Sequence, residues 1–559
     1  MITPDPAGFT ADGTDPSAWE NTAAAALEAL AAEFAIAAAE ERGNAGAERG
    51  ANAAVADRRA TWLDTFDWRL HKAGLTLEYV PGRGGNELRL AGRTADQEAT
   101  QLVTGWQAAR PHLLADLAGG PVAVRIGGII APRALVPVAA TSTTTTVYRL
   151  LNGDSKTVAR LLVSRPRLVS GRQSVPLPPR LSIAEVRGYQ AQARRATRLL
   201  AAVPGIKPAT ETLFADALRA LGRRPGDYSN KVDARITAEM PAATASAAIL
   251  LRLLDTIDAN VAGVLADTDT EFLHDLRVSV RRTRSALKLF GDSLTGLTAQ
   301  EAEFFAAEFK WVGDLTTPTR DLDVHLLDFE ETARSLAAAK PDDLEPFRVF
   351  LEQRRRKEFR ALSRGLRSAR FTALTGDWRA KLTAVEQEAG RARGSGHRSG
   401  YLGKAAGATA GTLAMDRTRV AFAKVARRGA AITTDSPAES LHDLRKRSKE
   451  LRYALEFFAP LHDPAFSAKV VGDLKRLQDC LGDFQDTEIQ IAEIRALAAA
   501  MLASGEAPAV TLLAMGEITA GLAVRQRAAR ADFERRFAAF ADIEGQRRVS
   551  ALLRGGVPR

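Results

Sequence analysis

Two patterns of hydrophobic and polar positions divide this chain of 559 residues. From Thr61 to about Arg187, short apolar runs are separated by turn signals, which predicts strands. From about residue 235 onwards, apolar residues recur with the period of a helix. We therefore expect an N-terminal antiparallel α+β domain at residues 19–228 and an all-helical domain at residues 235–545. A loose tail at residues 1–18 precedes both.

The predicted strands are read as short, distinct segments. Asn152-Gly153 lies between two of them and predicts a hairpin. The alanine-rich residues 19–56 favour helix or poor order, and residues 190–228 favour helices that end at Arg224-Pro225-Gly226. The strand segments are TLEYV, ELRLAG, VAVRIGG, TTTTVYRLLN, TVARLLVS and IAEVRGY.

The helical half contains an internal repeat. LHDLRVSVRRTRSALKLF fills residues 273–290, and LHDLRKRSKELRYALEFF fills residues 441–458. Each copy is followed by a second similar segment, VGDLTTPTRDLDVHLLDFE or LGDFQDTEIQIAEI. The repeat predicts two units, at about 235–390 and 413–545, that pack as a pseudo-twofold pair of bundles joined by a loop at 391–412.

Each copy places its cations on one face of a helix, beside an apolar stripe that can be buried. In the first copy their spacing is i, i+3, i+7, i+10 and i+14, and we expect both faces to be exposed to solvent. The cations are His274, Arg277, Arg281, Arg284 and Lys288, flanked by Arg282, in the first copy, and His442, Arg445, Lys446, Lys449 and Arg452 in the second.

Further cations lie between the copies, and Arg356 and Arg360 share a helix face there. If the two units pack face to face, these residues would line a basic groove. Such a groove suits a linear polyanion, because arginine gives phosphate charge-assisted and often bidentate contacts. A solvated basic face without a ligand, and a structural role for the two histidines, are the alternatives.

Composition narrows the choice of function. The net charge of +10 and the pI of about 9.8 favour an anionic partner. The single cysteine, Cys480, excludes an intrachain disulfide and a thiolate metal site. The N-terminus lacks the pattern of a signal peptide, and no apolar stretch reaches the length of a membrane span. We expect a cytoplasmic protein with no membrane partner.

The paired motifs HDLRVSVRRTRSALKLF and HDLRKRSKELRYALEFF, with the trailing TRDLDV and LGDFQDTEI, resemble the CHAD family, the "conserved histidine alpha-helical domain". The resemblance covers about residues 235–545. It implies two four-helix bundles that bind inorganic polyphosphate and associate with polyphosphate granules in bacteria, with no cofactor required. It also implies phosphate contacts from His274, Arg277, Arg281, Arg282, Lys288, His442, Arg445, Lys446, Lys449 and Arg452.

The N-terminal half resembles the CYTH domain, the triphosphate tunnel metalloenzyme fold, through TWLDTFDWRLHKAGLTLEYV at residues 61–80. The family's Glu-x-Glu-x-Lys strand is missing, a strand that should be basic reads ATSTTTT, and the late acidic strand keeps only Glu185. Triphosphate hydrolysis needs carboxylates to hold Mg²⁺ or Mn²⁺. We therefore expect a degenerate, catalytically silent domain, with a divalent metal only if it is active. The charged residues that remain are Arg89, Arg125, Arg133, Arg149 and Glu185.

Three functions are therefore compared: polyphosphate binding, metal-dependent triphosphate or polyphosphate hydrolysis by the N-terminal domain, and nucleic-acid binding. The basic faces carry almost no aromatic residues apart from Tyr453 and Trp378. Because bases bind proteins largely by stacking on aromatic rings, this composition favours polyphosphate over nucleic acid.

Overall fold

The chain folds as two compact units, residues 1–229 and residues 230–559. The structure is a computed structural model. It describes residues 8–11, 16–38, 54–82, 85–92, 94, 97–117, 119–394, 408–462 and 464–541.

The first unit is an antiparallel sheet with helices packed on it. The elements are β1 (Phe9–Ala11), α1 (Pro16–Ala31), β2 (Ala35–Ala38), β3 (Ala54–Thr65), α2 (Arg69–Lys72), β4 (Thr76–Val80), β5 (Asn86–Ala91), β6 (Ala99–Val103), α3 (Pro121–Ile130), β7 (Leu135–Leu151), β8 (Thr157–Ser170), β9 (Gln173–Pro176), β10 (Arg180–Glu185), α4 (Gln190–Ala201), β11 (Ile206–Pro208) and α5 (Leu213–Ala220). The strand order is β11-β1-β10-β8-β7-β3-β4-β5-β6, with β2 paired to β7 and β9 to β8.

The antiparallel α+β class predicted for this unit is confirmed. The hairpin at Asn152-Gly153 joins β7 to β8, where the Asn152 side chain accepts hydrogen bonds from the backbone N–H groups of Asp154 and Lys156. The long Thr-rich strand β7 pairs along its length with β3 and β8. One apolar core lies between this sheet and α1 and α4.

Several sequence predictions in this unit were wrong, since β2 and β11 are strands in segments predicted to be helical or poorly ordered, and two further segments also differ. VAVRIGG forms helix α3 rather than a strand, and residues Phe9–Ala11 of the expected loose tail form strand β1. In α3, Pro121 occupies the first turn, and the buried positions Val122, Ile126 and Ile130 recur every four residues. Strand β1 is held by antiparallel pairing to both β10 and β11.

The second unit is all-helical in its described residues. Its helices are α6 (Ala242–Leu265), α7 (Thr270–Phe290), α8 (Ala299–Leu327), α9 (Phe329–Arg334), α10 (Glu345–Leu366), α11 (Ala369–Gly394), α12 (Ala410–Ala430), α13 (Ala438–Phe457), α14 (Pro464–Ala503) and α15 (Ala509–Ala541). Most of the loop expected at 391–412 lies outside the described residues.

The helices of the second unit pack as two halves that follow the repeat. In the first half, α7 packs between α6 and α8, and α10 and α11 pack against these helices. In the second half, α12, α13, α14 and α15 enclose one apolar core. A further core joins α8, α9 and α10 to α14 and α15, so the two halves are locked together. This confirms the all-helical pair of bundles expected from the repeat.

None of the helices among the described residues is both long enough and apolar enough to cross a lipid bilayer.

Candidate functional site

The two repeat motifs form matching helices, α7 and α13. Each helix begins four residues before its motif histidine, His274 or His442. In α7 the side chain of Asp269 caps the first turn by accepting hydrogen bonds from the backbone N–H groups of Glu271 and Phe272. The apolar stripes that the repeat predicts are buried on both helices, apart from Leu287, which is only partly buried.

Helices α7 and α13 contact each other across the junction of the two halves. The guanidinium Nε of Arg281 donates a hydrogen bond of 2.7 Å to the hydroxyl of Tyr453. The ring of Phe290 lies 5.6 Å from the ring of Phe458, its counterpart at the end of the second motif. The basic faces of both copies therefore reach one continuous surface, which we call the α7/α13 surface.

Lys449 lies near the centre of this surface and is only partly exposed. Burial, followed by the positive charges of Arg445 and Arg281, lowers the pKa of Lys449 to about 8. Arg452 acts in the same direction, and Asp486 opposes it. The prediction that this lysine is exposed was wrong, because its side chain is partly buried where α13 packs against α7.

Around His274 the surface is also positive. Burial, and then the charge of Arg320, lowers the pKa of His274, so the ring is neutral near pH 7. Arg277 is partly buried, which lowers its pKa, and its nearest carboxylate oxygen is 3.8 Å away on Asp321. Arg277 donates instead to the hydroxyl of Thr317. In this first-copy cluster Arg277 therefore has only a distant carboxylate among the described residues, and Arg320 outweighs each of the nearby Glu271 and Asp275 in its effect on His274.

The corresponding residues of the second copy lie directly against carboxylates. The Nε2 atom of His442 lies 2.8 Å from a carboxylate oxygen of Glu488. Arg445 donates to both carboxylate oxygens of Asp486, at 2.9 and 3.0 Å, and to the side chain of Gln485. The same motif therefore has opposite electrostatic surroundings in the two copies.

Partly buried ion pairs hold the remaining cations along the contact of the helices. Arg282 pairs with Glu456 at 2.8 Å, and Lys288 pairs with Glu450 at 2.5 Å. Arg452 lies 3.3 Å from the same Glu456 carboxylate. Arg282 and Lys288 therefore join the two halves, although their carboxylate partners reduce the positive charge that they offer to a ligand.

The hydrogen bonds also display the pseudo-twofold relation of the copies. Arg277 and Arg445 each donate to a side chain 40 residues further along, Thr317 in α8 and Gln485 in α14. His325 and Glu493 are separated by 168 residues, the offset that relates His274 to His442, and their side chains contact each other at 3.1 Å. Together with Asp321 and Arg354 they line a hollow of about 190 Å³.

The structure brings most of the predicted site residues together, but not all. Arg284 and Lys446 are exposed on α7 and α13, in line with the predicted faces. Arg356 and Arg360 are on α10, which packs mainly against α8 and not against α7 or α13. The structure therefore does not place these two arginines against α7 or α13, and the N-terminal part of α10, with Phe347 and Leu351, packs into the core shared with α14 and α15.

Sequence reasoning missed residues that decide the charge of the site. Arg320 is part of the TRDLDV segment that helped to define the repeat, but its proximity to His274 depends on the packing of α8 on α7. Tyr453 was noted only as an aromatic residue, whereas its hydroxyl accepts the hydrogen bond from Arg281. The carboxylates of Asp486 and Glu488 had no signal beyond the LGDFQDTEI segment itself.

In the first unit, several of the charged residues that the CYTH resemblance left as candidates form ion pairs or are exposed to solvent. Arg89 forms an ion pair with Glu87 at 2.6 Å. Arg133 is buried beside Asp67, and Arg125 is exposed on α3. Glu185 is exposed at the end of β10. Among the described residues, no three His, Cys, Asp or Glu side chains are grouped closely enough to hold a metal ion.

Comparison with known proteins gives one family match. Residues 248–495 match the CHAD domain family. A CHAD domain from the plant Ricinus communis is 25% identical, and the alignment covers 54% of this chain and 96% of that one, with a TM-score of 0.44. PptA from Streptomyces chartreusis is 17% identical over 53% of this chain and 99% of its own, with a TM-score of 0.39.

A third solved structure is also similar to part of the chain. A putative adenylyl cyclase from Hippeastrum, described as having a dominant triphosphatase activity, is 12% identical. That alignment covers 40% of this chain and 98% of the other, with a TM-score of 0.25. No curated protein matches the sequence.

Proposed function

We propose that the helical unit, whose residues 248–495 match the CHAD domain family, binds inorganic polyphosphate on its α7/α13 surface. The observation that carries the proposal is the crowding of cations from both repeats around Lys449, where burial and the charges of Arg445 and Arg281 lower its pKa to about 8. Like charges are held together at an energetic cost in the unliganded protein. A bound polyanion would remove that cost.

The chemistry of the surface favours phosphate. Guanidinium groups form charge-assisted and often bidentate hydrogen bonds with phosphate oxygens, and a lysine adds a point charge. In a chain of phosphates each unit carries negative charge, so neighbouring units can reach Arg277 and Arg281 from the first copy and Lys449 from the second. This interpretation requires no metal ion and no cofactor.

The aromatic residues of the two helices favour polyphosphate over nucleic acid. Phe272, Phe290, Tyr453 and Phe457 are all buried. The ring of Tyr453 also stacks on Phe457, while its hydroxyl accepts the hydrogen bond from Arg281. Single-stranded nucleic acid gains much of its affinity from bases stacked on exposed rings, and these rings are not exposed.

The test is a titration of the full chain with long-chain polyphosphate, beside single-stranded RNA at equal phosphate concentration and about 150 mM salt. We expect polyphosphate to bind much more tightly than RNA, with and without a chelator. Equal binding, or a preference for RNA, would mean a general polyanion or nucleic-acid binder. Salt dependence alone cannot decide, because every phosphate polymer releases counterions.

The same titration tests the surface. Arg281→Gln with Lys449→Gln should weaken polyphosphate binding by roughly 10- to 100-fold, because a hydrogen bond to a charged group contributes about 1.5–3 kcal/mol. Arg419→Gln with Lys424→Gln removes the same charge from exposed positions of α12 and should change little. Unchanged helical circular dichroism would show that both variants fold. Unchanged binding in the folded first variant would contradict the proposed site.

Localisation follows from the same proposal. If long-chain polyphosphate is the ligand, a fluorescent fusion of the protein is expected on polyphosphate granules, and the Arg281→Gln, Lys449→Gln variant is expected to leave them.

A further inference from the structure

A row of arginines follows one side of α10. Its members recur four, four and three residues apart, so that they share a helix face, and all of them are exposed. The other side of α10 is apolar and buried. We call these residues the arginine row: Arg356, Arg360, Arg364 and Arg367.

The arginine row has no carboxylate to balance it. Among the described residues, none of its guanidinium groups forms an ion pair or a hydrogen bond with another side chain. Like charges at this spacing destabilise a helix by a few tenths of a kcal/mol per pair. The row therefore costs stability in the free protein, and no contact within the described chain compensates for it.

Arg355 lies in the same basic segment but, unlike the arginine row, forms ion pairs within the protein. It turns towards the protein and pairs with Asp267 at 2.6 Å and with Asp323 at 2.5 Å. The hydrogen bonds to Asp267 raise the pKa of Arg355. Arg355 therefore ties α10 to α8 and to the end of α6, and the arginine row takes no part in these ion pairs.

The row borders a hollow of its own. Arg360, Arg364 and Arg367 line a depression of about 380 Å³, whose remaining walls are Leu265, Phe359 and Ser363. The guanidinium group of Arg355 lies over one face of the Phe359 ring, 5.6 Å from the ring centre. The depression therefore offers three guanidinium groups beside the apolar side chains of Leu265 and Phe359.

This hollow is separate from the α7/α13 surface. At about 100° per residue, the middle of the arginine row is turned by roughly 120° around α10 from Arg354. Arg354 faces the other hollow, with His325 and Glu493. Helix α10 packs against α6, α8, α11 and α15, and none of the residues that line the hollow beside the arginine row belongs to α7 or α13.

We propose that the arginine row is a second anion-binding surface, which holds a further segment of a linear phosphate polymer. From Arg360 to Arg367 the helix rises by roughly 10 Å, so several phosphates in a line can meet one guanidinium after another. The identity of the polymer rests on the proposed function, whereas the existence of the site rests on α10 alone.

The experiment is calorimetric titration of the full chain with a short polyphosphate of defined length. We expect two binding sites per chain. Arg360→Gln with Arg364→Gln and Arg367→Gln should remove one site, and Arg281→Gln with Lys449→Gln should remove the other. Glutamine has a helix propensity close to that of arginine, so α10 should persist, which circular dichroism checks.

A matched control keeps net charge from explaining the result. Arg419→Gln with Lys424→Gln and Arg427→Gln removes three charges from exposed positions of α12 and should keep both sites. A single site in the unmodified chain that the α10 variant leaves intact would overturn the inference, as would an equal loss in the α12 control.

The two proposals fail in different ways. Loss of one site in the α10 variant, with no effect of Arg281→Gln and Lys449→Gln, would support the arginine row and contradict the α7/α13 surface. Loss of all binding in the Arg281→Gln, Lys449→Gln variant would mean that the α7/α13 surface is the single binding site, which would overturn the proposal that the arginine row binds anions.

Discussion

At the scale of single residues, Lys449 is the side chain whose chemistry differs most from its ordinary behaviour. An exposed lysine is charged up to a pH of about 10. Burial, together with Arg445, Arg281 and Arg452, lowers the pKa of Lys449 to about 8, and Asp486 offsets only part of this effect. Its charge therefore varies with pH in a range where the surrounding arginines remain fully protonated.

This gives a prediction for pH dependence. Phosphate binding favours the charged ammonium group, so binding takes up a proton wherever Lys449 is partly neutral. Polyphosphate affinity should be level below the pKa of about 8 and should fall as the pH rises through it, by about tenfold if one charge-assisted contact is lost. Titration from pH 7 to pH 9.5 in steps, at constant salt, measures the change.

Lys449→Arg is the matched control, because arginine stays charged throughout this range. The variant should bind with a flat profile. A wild-type profile that is equally flat would show that Lys449 does not contact the ligand. His274 should not contribute to the profile between pH 7 and pH 9.5, because burial and the charge of Arg320 lower its pKa. Any tightening of binding from protonation of this ring should occur only at acidic pH.

At the scale of elements, α8 and α14 make the two copies unequal. In the first copy α8 presents Arg320 to His274, whereas in the second α14 presents Glu488 to His442. Arg277 has its nearest carboxylate at 3.8 Å, whereas Arg445 has both oxygens of Asp486 within 3.0 Å. The first copy therefore offers more free positive charge.

A second consequence concerns how the two halves join. Arg282 and Lys288 of α7 pair with Glu456 and Glu450 of α13, so the first copy supplies both cations and the second both carboxylates. The positions of Arg282 and Glu450 correspond in the repeat, as do those of Lys288 and Glu456. Opposite charges at matched positions make one half complementary to the other, which favours this pairing over pairing of like halves.

The inequality predicts that carboxylates on α14 weaken binding. Asp486→Asn with Glu488→Gln should tighten polyphosphate binding, by about fivefold per site if each neutralised pair is worth about 1 kcal/mol at a partly exposed position. The measurement is the same titration with long-chain polyphosphate.

The control is Glu303→Gln with Glu506→Gln, which makes the same change of net charge at exposed positions. Equal tightening in both variants would mean that only net charge matters. No tightening in the first would show that the ligand does not approach the second copy.

At the scale of the whole molecule, the helical unit carries the proposed site, and we predict that the sheet unit does not hydrolyse triphosphate. Glu185 is exposed at the end of β10, opposite Ala159, and no cluster of three potential metal ligands occurs among the described residues. We predict that the full chain, with Mg²⁺ or Mn²⁺, releases no more phosphate from tripolyphosphate than its Glu185→Ala variant does.

Phosphate release that requires the metal and disappears in Glu185→Ala would contradict this prediction. It would also favour the alternative in which the sheet unit is a hydrolase and the helical unit holds its substrate.

The sequence alone determined much of the architecture, because the relevant signals are local. The helical period and the repeated HDLR motif predicted α7 and α13, and residue spacing alone predicted that their cations share a face. Asn152-Gly153 predicted the hairpin for the same reason, since a tight turn is set by the residues within it. The segment VAVRIGG was wrongly predicted as a strand, because a short apolar run does not distinguish a strand from a buried helix.

Only the tertiary structure decided which cations are free. Asp486 reaches Arg445 from 41 residues away, and Glu456 reaches Arg282 from 174 residues away. Packing likewise placed Arg356 and Arg360 on a helix that does not pack against α7 or α13, and it placed Arg320 beside His274. The charge that a side chain offers to a ligand depends on burial and on neighbours within a few ångströms, and helix packing, not sequence spacing, sets those distances.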